Sequence, residues 1–241
     1  AVVDYGEAGR FAELEDSLSD LWDVHEEHPK ASIRKEIAVG LYNAAYTYGM
    51  KRRFEKAKEK LSILWDFHQK HREAAIRQEL AEGLSSTSGR LSDAQRFEDL
   101  EDILSDIEEL HEDHPEAPIR EEYVKSLFNG VVGYGNYNRF SDLESLLADL
   151  RVLHDEYPEP TVREHLSNGL ANAGIQYGYE KRFKDLEDSL SELRELHENY
   201  RESTIRNALA MGLAKASIHY AEEECFNELE DAVSELHDLH T

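Results

Sequence analysis

The chain has 241 residues, 40% of them hydrophobic, with 52 acidic against 27 basic side chains and a formal net charge of −25. That is enough apolar material for a sizeable core, while the carboxylate surplus disfavours generic binding to a nucleic-acid backbone, which needs a basic face. A single cysteine, Cys225, excludes an intramolecular disulfide framework, no apolar run reaches the length of a membrane span, and the opening "AVVDYGEAGR" has no signal-peptide pattern, so cytoplasmic residence is expected. The acids are spread along the whole chain rather than gathered in one tail. We read them as salt adaptation, in which salt screens the self-repulsion of a hydrated carboxylate surface; attraction of basic partners is the other reading.

One unit recurs from end to end. Phe11, Phe54, Phe97, Phe140, Phe183 and Phe226 stand 43 residues apart, and so do His25, His68, His111, His154, His197 and His240. Arg34, Arg77, Arg120, Arg163 and Arg206 follow the same period, as do Leu41, Leu84, Leu127, Leu170 and Leu213. The stretch Ala1 to Gly6, "AVVDYG", aligns with Ala44 to Gly49, "AAYTYG". The chain is therefore expected to open midway through a helix and to be a piece of a longer array, since a natural solenoid usually carries distinct polar caps. The units run as a partial one over 1–31, then 32–74, 75–117, 118–160, 161–203 and 204–241, in a single helical-repeat domain.

Each unit predicts two helices. Helix A, "IRKEIAVGLYNAAYTYG" in its first full copy, keeps Ile33, Ile37, Leu41, Ala44 and Tyr48 at helical spacing. A small residue beside its leucine (Gly40, Gly83, Ser126, Gly169 or Gly212) leaves room for a neighbouring helix. Helix B, "RFEDLEDILSDIEELHEDH" in the third unit, places Phe97, Leu100, Leu104, Ile107 and His111 on one face. Pro29, Pro115 and Pro158 stop helix B, because proline cannot continue it. Neither helix can bury its stripe alone, whereas stacked pairs can. The expected fold is an all-α α-α superhelix, a solenoid of tandem helix-turn-helix repeats with eleven full helices and no strand.

The histidines read as scaffold. They lie in the last turn of helix B, in phase with its core stripe, where a ring N–H can serve terminal carbonyls. The second histidine of the H-x-x-H pairs, His28, His71 and His114, becomes Tyr157 and Tyr200, so neither a metal nor another cofactor is expected. The arginine series opens helix A, where a cation opposes the dipole, and so wants a specific partner. The near-regular glutamates of helix B (Glu15, Glu101, Glu144, Glu187 and Glu230, broken by Lys58) are the expected one, with ligand binding the alternative. There is no Gly-rich phosphate loop, nucleophile elbow or zinc-spaced cluster. Cys225, at a position held by arginine in the five preceding copies, reads as a free thiol.

The pair "GLANAGIQYG…RFKDLEDSLSEL…HENY" resembles the tetratricopeptide repeat, with a small-Leu pair in helix A and an aromatic opening helix B. The "HPE" before the next helix A is similar to the long repeats of kinesin light chains. The likeness covers essentially the whole chain but departs in its 43-residue unit, against about 34 in the family, and in a longer loop before Phe183. It implies a non-catalytic scaffold that binds a protein or peptide segment along the surface lined by the A helices, with no nucleic acid and no membrane. Alternatives are a mechanical spacer or oligomerisation module and, further off, a helical-repeat enzyme subunit.

Departures between units point to a partner. The A-helix row at 39 and 43 reads Val39/Asn43, Glu82/Ser86, Lys125/Asn129, Asn168/Asn172 and Met211/Lys215. Of these Asn43, Ser86, Lys125, Asn129, Asn168, Asn172 and Lys215 are the peptide-binding candidates. Lys125, Asn129, Asn172 and Lys215 are similar to the family's clamp for a peptide carboxylate, with Met211 standing where a second cation is expected. Residues 51–77 hold nine basic and four acidic side chains. Lys51, Arg52, Arg53 and Lys56 are read either as internal pairs or as a contact for an acidic partner or a second copy. Trp22 and Trp65 occupy a position that later holds Glu108, Arg151, Arg194 and His237. They are read as a surface-contact pair or as partly buried against a preceding unit.

Overall fold

A computed structural model describes residues 10–239. Among them are eleven α-helices and no strand, in the two-helix alternation expected from the 43-residue comb. The B helices are α1 (Phe11–Glu27), α3 (Phe54–His71), α5 (Phe97–Asp113), α7 (Phe140–Glu156), α9 (Phe183–Tyr200) and α11 (Phe226–Asp238). The A helices are α2 (Ala31–Met50), α4 (Ala74–Asp93), α6 (Ala117–Asn136), α8 (Pro160–Tyr179) and α10 (Ser203–Glu222). The opening fragment 1–6 and His240 lie outside the described residues. The chain divides into two compact units, 1–126 and 127–241, and in each the helices pack on their neighbours in sequence and one A helix packs on the next.

The core follows the stripes. In α2 Ile37, Leu41, Ala44 and Tyr48 are buried, and in α5 Leu100, Leu104, Ile107 and His111. The small-residue position does what close packing requires: a Cβ built on Gly83 would stand 2.7 Å from Leu61 Cδ2, and one on Gly40 2.8 Å from Leu18 Cδ2. Gly40 and Gly83 are thus the floor on which the preceding B-helix leucine rests, and a side chain added at either would displace that leucine.

The two kinds of connection have different chemistry. Each B helix ends according to one residue. Where proline follows, at Pro29, Pro115 and Pro158, the helix stops at Glu27, Asp113 or Glu156. The intervening His28, His114 or Tyr157 leaves the helical region, with ψ near 75°. A residue before proline is pushed out of the α region by the pyrrolidine ring, which accounts for the early stop. Where arginine replaces proline, at Arg72 and Arg201, the B helix runs on to His71 or Tyr200 and closes with the arginine left-handed, at φ 49° and 51°.

Every A helix ends instead on a single motif. Its hallmark is a long backbone bond, as in Arg53 N–H to Tyr48 O at 2.8 Å and Arg182 N–H to Tyr177 O at 2.8 Å, around a residue with positive φ. This is the Schellman arrangement, which usually employs glycine. Here the left-handed residues are Arg52, Gln95, Asn138, Lys181 and Glu224. Only Asn138 is of a type that tolerates the conformation readily, and it also donates to Glu180 across 2.7 Å.

Gln95→Gly should therefore raise the unfolding free energy by about 1 kcal/mol, the relief of one left-handed Cβ. Asn138→Gly should give no gain, because it loses the bond to Glu180. Urea midpoints at one salt concentration measure both.

Candidate functional site

Two edges of the repeat carry most of the polar chemistry, and both are structural. At the edge where B hands over to A, Arg34 donates to Pro29 O at 2.8 Å and to Glu73 Oε1 at 2.6 Å. Arg77 pairs with Glu116, and Arg163 donates to Pro158 O and Glu202. Arg120 donates to Pro115 O at 2.7 Å. The expected partner of this series was the helix-B glutamate. The structure corrects this: the partner is the glutamate immediately before the next A helix, 39 residues on. Glu73 and Glu202 are the N-cap residues of α4 and α10, where a negative charge suits the helix dipole. Arg34, Arg77 and Arg163 so escape their own helix's positive end by reaching the carboxylate that precedes the next A helix.

The helix-B glutamates have another role. Tyr48 Oη donates to Glu15 at 2.6 Å, Tyr177 to Glu144 at 3.3 Å, and Tyr220 to Glu187. Burial first, then these carboxylates, raise the tyrosine pKa values. In the unit where the glutamate becomes Lys58 the tyrosine becomes Leu91, and Lys58 turns to Asp99 and Asp102, both at 2.8 Å. The same tyrosines stack on the aromatic opening helix B, Phe11–Tyr48 at 4.9 Å and Phe140–Tyr177 at 5.4 Å between centroids. The arginine opening the next B helix covers that phenylalanine: Arg53 lies 4.1 Å from the Phe11 centroid and Arg182 4.7 Å from Phe140. Cys225, a partly exposed free cysteine, stands at this arginine position.

The histidines are likewise built into the stack. His25 meets His71, His68 meets His114, and His154 meets Tyr200, with centroids 5.3 to 5.7 Å apart. Each contact joins one repeat to the residue 46 positions on, and Arg163 lies 4.3 Å over the Tyr200 ring in the same layer. His68 is 1% exposed, and burial, then the neighbouring His114, Arg77 and Arg72, lower its pKa to about 4, against a pull upward from Asp113. Among the described residues no three His, Cys, Asp or Glu side chains converge as metal ligands would.

The A-helix row is only partly covered. Asn168 and Asn172 are half-buried and Lys215 is exposed, with Met211 and Ile218 beside it at 39% and 50% exposure. Asn43 donates to Val39 O and Asn172 to Asn168 O, both at 2.8 Å, and Ser86 donates to Gly83 O at 3.1 Å. Lys125 is exposed and pairs with Glu122 at 3.2 Å, and Asn129 is half-buried. Around Tyr42, whose pKa is raised by burial and then by Glu82, the face of the first unit also carries Glu79 and Glu122. Glu79 itself is pushed up by burial and Glu82.

The basic segment is drawn largely inward. Lys56 pairs with Glu59 at 2.6 Å, the buried Lys60 pairs with Glu15 at 2.7 Å, and Arg53 covers Phe11, while Lys51 and Arg52 are exposed on the turn. The tryptophans part company. Trp22 packs edge-on against Phe67, with centroids 5.1 Å apart. Trp65 instead walls a groove of about 570 Å³ between α3 and α5, floored by Leu61, Leu84 and Ile103.

Stacked pairs of A and B helices, joined edge to edge by repeated side-chain pairs, define an all-α helical-repeat protein. No protein-family model matches the chain, and no curated protein matches it in sequence. No helix among the described residues is long and apolar enough to cross a membrane.

His68 generates a pH prediction. Its folded pKa lies below the usual value, so the unfolded chain takes up the proton first. The stability this confers is complete above about pH 6.5 and is lost as the pH falls toward 4, a loss of up to about 3 kcal/mol. Urea unfolding of His68→Phe should show a visibly flatter pH dependence across that window than the parent chain.

Proposed function

We propose that this is a non-catalytic interaction scaffold of the tetratricopeptide-like kind, its 43-residue units similar to kinesin light chain repeats. It would bind a peptide or protein segment along the A-helix face in the cytoplasm. The supporting observation is the division of labour within each A helix. One stripe is spent on the core, while the row through Val39, Asn43 and Tyr46 and its equivalents is half-buried to exposed in every unit and varies in chemistry. Apolar side chains recur there without a covering helix: Tyr46 at 39% exposure in the first unit, Met211 and Ile218 in the last. Exposed apolar groups ringed by polar ones favour protein partners.

The charge of the face selects what it takes. Glu79, Glu82 and Glu122 surround Tyr42, so that portion favours a basic or uncharged segment. The carboxylate-clamp form of the reading rests on Lys215 and Asn172, whose amide has a second N–H left to donate, since Lys125 is already paired with Glu122.

Tyr46→Asp and Ile218→Asp test this. Proteins retained from a lysate at high salt should be lost with these variants and kept with Val152→Asp, an exposed site on helix α7. Retention unaffected by the A-helix variants, or lost equally with Val152→Asp, would contradict the reading.

A further inference from the structure

The groove at Trp65 differs from its equivalents in later repeats. Two of those equivalents pair an arginine at the Trp65 position with a glutamate at the Asp106 position, Arg151 with Glu192 and Arg194 with Glu235, while the intervening one holds Glu108 and Asp149. Arg151 grips Glu192 with two bonds, Nε to Oε1 at 2.9 Å and Nη2 to Oε2 at 2.8 Å, spanning α7 and α9. Arg194 does the same from α9 to α11, with Nε 2.9 to 3.0 Å from both oxygens of Glu235. A guanidinium against a carboxylate is therefore what this repeat position holds in those two copies.

Between α3 and α5 the carboxylate is kept and the cation is gone. Asp106 lines the groove with Asp102 and Glu109, and Trp65 takes the arginine's place. Lys58, the lysine on the groove wall, is engaged by Asp99 and Asp102. Asp106 keeps an exposed edge, yet partial burial, then Asp102 and Glu109, push its carboxyl up, and Lys58 offsets this only partly. Relief would come from a cation brought in from outside, for which an indole face is a favourable wall.

We propose that the α3–α5 groove receives an arginine side chain of a partner protein, its guanidinium on Asp106 and against the Trp65 ring, in the position that Arg151 and Arg194 fill internally. The opening of about 570 Å³ accommodates one such side chain and its flanking backbone. Ser62 and Ser105, which also line it, can accept from the remaining N–H groups. This site is on the B-helix side and does not depend on the A-helix face.

An NMR titration tests the proposal, with the two indole N–H signals assigned by Trp22→Phe and Trp65→Phe. The probe is an acetylated, amidated hexa-arginine peptide, with the isosteric, uncharged hexa-citrulline as control. The Trp65 signal should shift saturably with arginine only, Trp22 should stay in place, and Asp106→Asn should weaken binding about tenfold or more. Equal shifts of both indoles, no shift, or a shift indifferent to Asp106→Asn would overturn it. A second measurement needs no ligand. Trp65→Arg should raise the urea midpoint by closing the groove as in later repeats, and should not do so in Asp106→Asn. Absence of that dependence would overturn the equivalence. Self-association of the parent chain abolished by Asp106→Asn would assign the groove to a second copy and overturn the partner assignment.

Discussion

The arginine at the head of each A helix is the constraint around which the repeats are organised. It stands at the positive end of its own helix and is buried in three copies, 9% exposed at Arg77, 5% at Arg120 and 8% at Arg163, half-buried at Arg34 and exposed only at Arg206 in the last A helix. An unpaired guanidinium so placed would carry a desolvation cost of several kcal/mol. The cost is offset by partners from two successive repeats, the proline-site carbonyl behind it and the glutamate capping the next A helix. One side chain thereby fixes both the turn inside its unit and the spacing to the next. Neighbour-to-neighbour bonds of this kind are what a quasi-one-dimensional fold relies on, having no contacts between distant segments to fall back on.

The opposite edge repeats the logic with different groups. There the tyrosine closing helix A donates to the glutamate of the preceding helix B and stacks on that helix's phenylalanine, while the arginine opening the following helix B covers the ring. With both edges pinned, the remaining surfaces of the two helices are free to vary. On the A side that variation leaves Tyr46 exposed in one compact unit and Ile218 in the other, and on the B side it exchanges arginine for Trp65.

Much of this was legible before any coordinates. The comb of Phe11, His25, Arg34 and Leu41 gave the helix pair, its stripe and the stopping prolines, because periodicity and proline act locally. Partnerships were less legible. Arg34 was assigned to the Glu15 series because both recur at 43 residues, and any two combs of equal period look equally matched. The signal that separates them is coupled exchange: where Glu becomes Lys58, the tyrosine 33 residues later becomes Leu91 while Arg77 is kept. The Arg151–Glu192 pair is hidden for the same reason, although Trp65 stands out against the arginines at its position in later repeats. Left-handed Gln95 and Lys181 left no trace in the sequence, since glycine is the residue that announces such a turn.

A double-mutant cycle on Arg163 and Glu202 tests the ladder most directly. The unfolding free energies of the parent, Arg163→Met, Glu202→Gln and the double variant would be compared in urea. A coupling of about 2 kcal/mol is expected for a partly buried, charge-assisted pair joining α8 to the head of α10. Additive losses, with coupling below about 0.5 kcal/mol, would mean that the repeats are held by apolar packing alone and that the arginine ladder is incidental.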